Sequence, residues 1–409
     1  MSRLMKQVAI TLSILILVFT AVGFVMAKAY SPDDKTYRSL TVYSEVLEHV
    51  QRDYVEDPDI HQVTSGALHG LLDSLDPDSS YLSPLEYTDY KERIQSKAAG
   101  TSGLALSKRN GYIIVISVLP DSPGQQSGLK SGDYIESIAG FTTSQMSIGQ
   151  ARVLLTGAPG STVKLSVIRR AKVEPEQVDL TLGKVPEPKI LEERFEGDIA
   201  YLRLPALDAG TVGRLREKLT QLEGKGAHKL ILDLRDCAIG EPADGVTAAQ
   251  LFLPSGTIAS LKGQTVSEQT FSADASKQVW KAPVAVLLSN GTAGAAEILA
   301  AALSDNHRGE TIGDRTFGTA SWQRVIQLDD GSALILTIAN YYTPAGKSIP
   351  AEGVAPTVQE TADDVAALND LQQTTSPPPG QVASQDDPLL KKAIQIVQGN
   401  GAAVMKKAA

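Results

Sequence analysis

Apolar residues recur along this chain first as a continuous run, then at helical spacing, then at strand spacing. The run, Val8 to Met26, carries no charge and follows Arg3 and Lys6. From Tyr37 to about Leu75 the spacing is three and four. Leu40, Tyr43, Leu47 and Val50 mark one helix, and Leu68, Leu71 and Leu72 mark one face of a second near Ile60 to Leu72. Asp76-Pro77-Asp78-Ser79-Ser80-Tyr81 is turn chemistry. From about residue 100 the alternation is that of strands, at Gly103 to Leu106, Tyr112 to Val118 and Val163 to Ile168. A short helix is predicted at Ile148 to Leu155. From Ile199 onward strand and helix patterns alternate. Leu230 to Leu234 and Val284 to Leu288 are apolar almost throughout, as strands buried on both faces are, and Leu334 to Ile338 is a further strand. Thr374 to Gln385, rich in Ser, Pro and Gln around Pro377-Pro378-Pro379, reads as a linker. Asp387 then caps a short helix through Val397, with Pro388 in its first turn.

Composition narrows the classes. A chain of 409 residues with 42% hydrophobic and 21% charged residues is globular and long enough for two or three domains. A net charge of -9 and a pI near 5.2 exclude nucleic acid as the main partner, because phosphate binding needs a concentrated basic surface. The longest basic cluster, Arg169-Arg170-Ala171-Lys172, reads as a solvated strand end. The single cysteine, Cys237, excludes an internal disulfide. The five histidines show no metal-ligand spacing, and neither a metal nor a cofactor is expected. At ~1.5 Å per residue, the run from Val8 to Met26 nearly crosses a ~30 Å hydrocarbon core. Basic residues before it leave the remainder outside the cytoplasm. Residues 1–29 therefore read as an uncleaved single-pass anchor, with cleavage after Ala27-Lys28-Ala29 as the alternative.

Two sets of motifs carry a resemblance. The first is Ser122-Pro123 followed by Gly128-Leu129 and Gly132-Asp133-Tyr134-Ile135, within the strand order above. It resembles a PDZ domain of the bacterial protease type over residues 100–172. Such a domain takes an extended carboxyl terminus as an added strand, and its glycine-bearing loop offers amides to the terminal carboxylate. The resemblance puts that loop at Ser102, Gly103, Leu104, Ala105 and Leu106, with Leu154 and Leu155 as pocket candidates or ordinary core. The family's G-L-G-I reads Gly103-Leu104-Ala105-Leu106 here, so the second glycine is lost.

The second set lies at Thr292-Ala293-Gly294-Ala295-Ala296-Glu297 and Thr316-Phe317-Gly318-Thr319-Ala320-Ser321-Trp322-Gln323, with Tyr341-Tyr342-Thr343-Pro344 beyond. With the PDZ motifs it resembles the carboxyl-terminal processing peptidases over about residues 37–398. The resemblance implies a helical region at 37–95 and a crotonase/Clp-protease-like α/β core at 186–360. A linker at 361–386 and a helix at 387–398 follow, so the fold class is α/β multidomain. In that family a serine opens a helix and a lysine twenty-five residues later takes its proton, being kept neutral by burial. Here the two positions hold Gly294 and Thr319, at the required spacing. Gln323, which orients the lysine in the family, is left with nothing to orient. The family's L-R-x-N-P-G-G oxyanion loop reads Leu234-Arg235-Asp236-Cys237-Ala238-Ile239-Gly240. Ile239 disfavours the positive φ that glycine allows. Ala295, at the helix start, would give the other oxyanion amide. Residues 282 to 346 contain no lysine. Ser289 and Ser321 lack an evident base, and His307 is badly placed. Cys237 is the one tempting alternative nucleophile.

The expectation is an exported homologue without peptidase activity, anchored in a bacterial inner membrane with its domains in the periplasm. It would bind protein carboxyl termini or unfolded segments, or pair with itself or an active relative. The alternative is an active serine-type or Cys237-based endopeptidase that processes carboxyl termini.

Overall fold

The computed structural model describes residues 34–94, 100–169, 174–359 and 376–400. The anchor expected at 1–29 lies outside them, as do 361–375 of the expected linker. No described helix is long and apolar enough to cross a membrane. The described residues fall into two compact units, divided between Ala67 and Leu68.

In the first unit, helix α1 (Asp34–Asp53) presents Leu40, Tyr43 and Val46 to solvent. Helix α2 (Ile60–Asp73) runs on into the second unit. There Leu72 is buried but Leu71 is 59% exposed, so the face assigned to both holds only one.

The rest of the second unit begins with strand β1 (Ser80–Leu82) and helix α3 (Pro84–Ile94). An antiparallel sheet follows, built from β2 (Leu104–Arg109), β3 (Tyr112–Val118), β4 (Tyr134–Ile138), β5 (Thr162–Ile168) and β6 (Glu176–Thr181), joined in that order. Helix α4 (Ile148–Leu154) packs on its apolar face, entered through a Ser147/Gln150 capping box. The sheet continues to Thr181, past the boundary expected at 172, because Leu180 completes its core. Arg169 is no solvated strand end: it pairs with Asp133 and Glu176.

The largest layer is a six-stranded sheet of β7 (Leu191–Phe195), β8 (Ile199–Arg203), β9 (Lys229–Asp233), β12 (Val284–Leu288), β13 (Gly309–Gly313) and β16 (Val358–Gln359). Beyond the β7–β8 pair it is parallel. The apolar runs supply both of its faces. Leu230, Leu232, Val284, Val286 and Leu288 face α5 (Ala209–Gly224), α6 (Pro242–Ala249) and α7 (Ala295–Asp305). Ile231, Ala285 and Leu287 face α8 (Pro388–Gln395). A second sheet holds β10 (Thr257–Lys262), β11 (Gln269–Ser272), β14 (Ser321–Gln327) and β15 (Ala333–Tyr342). Strand β1 joins it by pairing Ser80–Leu82 with Ala333–Ile335.

The segment read as a linker is docked where described. Ala383 is buried with α8, and the Arg203 guanidinium donates to the carbonyls of Pro377, Pro378 and Gln381. Proline-rich composition suggests mobility, but three carbonyls converging on one point suit a buried cation, and the Pro378 carbonyl also accepts from the Gln381 amide at 3.2 Å.

Candidate functional site

Strand β12 ends in a turn that delivers Gly294 to the start of α7 with φ 60° and ψ -116°. Ser289 staples the turn, accepting from the Asp236 and Gly291 amides at 3.1 Å and donating to Asp236 Oδ1 at 3.3 Å. A Cβ at Gly294 would meet nothing nearer than the Gly240 carbonyl at 3.6 Å. The position thus has room for a side chain, and its cost to any other residue lies in the backbone angle. Ala295, the first helical residue, is buried.

Glu297, noted in the sequence only as a matching flank, organises this corner. Its Oε2 accepts from the Gly294 amide and the Thr319 amide, each at 2.9 Å. Its Oε1 accepts from the Gly318 amide at 2.7 Å and from the Thr316 hydroxyl. Burial pushes this carboxyl up, while the four donors favour its ionised form. One carboxylate therefore ties the helix start to the loop that carries Thr319. The only sequence signal was a charged residue inside an otherwise apolar helix start.

Gln323 is not idle, contrary to the expectation. Its Nε2 donates to Ser321 Oγ at 2.7 Å, and that hydroxyl lies 3.5 Å from Asp78 Oδ2. Ser321 and Ser289 therefore each have a carboxylate neighbour, which the sequence did not reveal because Asp78 and Asp236 are far away along the chain. Burial pushes the Asp78 carboxyl up, mainly by desolvation. His307 follows the far end of α7, as expected from its spacing.

The loop after β9 is held by backbone bonds. The Thr292 hydroxyl donates to the Leu234 carbonyl at 2.8 Å, and the Ala293 and Leu207 amides donate to the Cys237 and Ile239 carbonyls at 3.0 and 2.7 Å. Among the described residues, the non-glycine positions with positive φ include Asp236 but not Ile239. Gly240 stands at φ 140°, where a Cβ would fall 2.1 Å from the Leu207 carbonyl. Cys237 is fully buried in the main core, and burial pushes its thiol far above the usual range. A thiol that stays protonated and meets no solvent is not a nucleophile, so that candidate is withdrawn.

In the PDZ-like sheet, Gly103 stands at φ 72°, where a Cβ would lie 2.3 Å from Ser122 Cβ. The Ser102 and Gly103 carbonyls accept from the Gly124 and Leu119 amides at 2.7 and 2.9 Å. Strand β2, with Leu104, Ala105 and Leu106, is the sheet's edge and adjoins α4, the geometry that strand addition needs. Leu104 and Leu154 are half-buried at the rim, whereas Leu106 and Leu155 lie within the core. Leu155 is a packing residue and not a pocket wall, since it follows the last turn of α4 and points inward.

This sheet touches the corner around Gly294. The Arg109 guanidinium stacks 4.2 Å from the Phe317 ring centroid, and the Ile116 carbonyl lies 3.0 Å from where a Cβ of Gly291 would be. Among the described residues no cluster of His, Cys, Asp or Glu is arranged to hold a metal ion.

Comparisons with known proteins converge on one family. Residues 198–360 match the pattern of Peptidase family S41, and residues 100–182 match that of the PDZ domain. The carboxy-terminal-processing protease of Bartonella bacilliformis is 31% identical over 341 residues, spanning 82% of this chain and 78% of that protein. The carboxy-terminal processing protease CtpA of Bacillus subtilis is 30% identical over 83% of this chain and 72% of its own length. Among solved structures, a photosystem II D1 C-terminal processing protease superposes with a TM-score of 0.65 at 26% identity. That match covers 78% of this chain and 92% of that one.

Proposed function

This chain belongs to the carboxyl-terminal processing proteases of peptidase family S41, and on that footing we propose that it binds polypeptide without cutting it. The observation that carries the reading is Gly294 in the elbow, with Thr319 at the general-base position. Losing members of a catalytic unit costs about 10⁴–10⁶ in rate. What remains is a scaffold with a PDZ edge strand beside a half-buried apolar rim at Leu104 and Leu154. Its ligands are carboxyl termini or unfolded segments of envelope proteins, or an active relative whose work it regulates. Residues 1–29 hold it at the membrane with the remaining chain outside the cytoplasm.

A second reading, an active serine-type peptidase, draws support from Ser321 beside Asp78. A carboxylate is a weak base toward a serine hydroxyl, however, and Gln323 already occupies that oxygen. The deciding experiment incubates the detergent-solubilised full chain with an unfolded protein and with peptides of apolar carboxyl terminus. Binding and cleavage are measured together. Binding with no cleavage is expected. Cleavage that disappears in Ser321→Ala would overturn the proposal.

A further inference from the structure

The segment Ser376–Gln381 touches three places at once. Arg203, nearly fully buried, gathers the carbonyls of Pro377 at 2.8 Å, Pro378 at 2.8 Å and Gln381 at 2.5 Å. The Ser376 side chain hydrogen-bonds Asp236 in the loop beside the Gly294 corner. On its other side the segment meets the PDZ domain. The Gln125 Nε2 donates to the Pro379 carbonyl at 3.1 Å, and a Cβ at Gly380 would stand 3.4 Å from Pro120 Cβ. Three consecutive prolines contribute no amide donors of their own; the Pro377 and Pro379 carbonyls turn to outside partners, while the Pro378 carbonyl accepts both from Arg203 and from the Gln381 amide at 3.2 Å.

The PDZ loop so gripped is the one that supports the carboxylate-binding loop. Its Leu119 and Gly124 amides hold the Gly103 and Ser102 carbonyls. Ser122 fills the space that the absent Gly103 side chain leaves. Gln125 also fixes this loop internally, accepting from the Asp121 amide at 2.6 Å.

We propose that Ser376–Gln381 is a clasp that fixes the PDZ domain on the core and is energetically coupled to the peptide groove. Docking the clasp orders residues 119–126, and through them the Ser102–Gly103 loop, so a bound carboxyl terminus and a docked clasp favour one another. Coupling of this kind is reciprocal by thermodynamic necessity. The clasp stands on the geometry alone, and its coupling to peptide rests on the binding function proposed above.

The test uses the full chain in detergent. The pair Pro120→Cys and Gly380→Cys is expected to close an intramolecular disulfide on mild oxidation, since the Cβ separation stands at the short limit of native bridges and Cys237 is buried, although at φ 78° a side chain on residue 380 adds strain. Failure of that bond to form, together with unchanged hydrogen exchange in Gln125→Ala, overturns the clasp. In Gln125→Ala, hydrogen exchange at the Gly380 and Gln381 amides is expected to rise about fivefold, the worth of one hydrogen bond. Amides in β12 should be unchanged. A saturating decapeptide with an apolar residue and a free carboxylate at its end should slow those clasp amides. The amidated decapeptide should not. Unchanged clasp exchange with the peptide bound overturns the coupling. If the peptide binds neither the parent chain nor the variant, the binding function and the coupling fall together, while the disulfide and the exchange in Gln125→Ala still decide the clasp.

Discussion

At Gly294 the backbone stands in a region where a side chain adds strain of about 1–3 kcal/mol, although the space beside it is open. Gly294→Ser is therefore expected to fold and to melt several degrees lower, and calorimetry on both proteins checks it. An unchanged melting temperature would mean that the elbow relaxes. Glu297 has the opposite character, with no slack at all. Replacing it by Gln turns one acceptor oxygen into a donor facing two donors. A loss of about 2 kcal/mol or more is expected, read as a lower denaturation midpoint. That Gly294 and Thr319 stand where the resemblance puts a serine and a lysine was read from flanks that fix the register. Their present partners were not. Gln323 meets Ser321 within β14 itself, whereas Ser321 meets Asp78 only because β1 and the turn before it are folded against β15.

Among the elements, α2, α3 and α4 meet at Glu86. Burial pushes its carboxyl up, but hydrogen bonds from His69, Gln150 and Ser83 outweigh that and hold it at about 2. The folded value lies below the ordinary 4.5, so the contact stabilises above that pH. Its contribution is lost as pH falls from 4.5 towards 2. Glu86→Gln should thus melt lower than the parent near neutral pH, by an amount on the order of 1–2 kcal/mol after solvent screening, and the gap should close in acid. A gap independent of pH would assign the effect to packing. Between β9 and α8, the buried Arg235 bridges Asp233 and Asp387 at 2.6 and 2.7 Å. Removing it in Arg235→Ala takes the shared cation from two carboxylates, which keep the Tyr201 hydroxyl and the α8 amides as donors, at a cost of about 3–5 kcal/mol. Urea unfolding measures that directly. Strands β9, β12 and β15 could be read from apolar runs because their periodicity is local, whereas β10, β11 and β14 were not read. The docking of 376–387 could not, since it depends on Arg203 and Arg235, far back in the chain, and on backbone carbonyls that composition does not display.

Across the whole molecule, the helix at the end of the described residues forms a core of its own, on the sheet face away from Cys237, and is not an appendage. Ala383, Leu389, Leu390, Ala393 and Val397 cover the face of the parallel sheet formed by Tyr201, Ile231 and Leu287. A chain stopped after residue 375 would leave that face bare. It is expected to bind an apolar dye and to lose cooperative melting, and a sharp transition in that truncated chain would contradict this.

The pairing of Ser80–Leu82 with Ala333–Ile335 also sets an order of events in time. The contacts that close the core join segments about 250 positions apart, whereas those of the PDZ sheet are nearly all local. Long-range closure is slow, and short-range pairing is fast. As the chain emerges, the PDZ domain can fold first, while the core stays open to proteases and to aggregation until its carboxyl-terminal helix has been made.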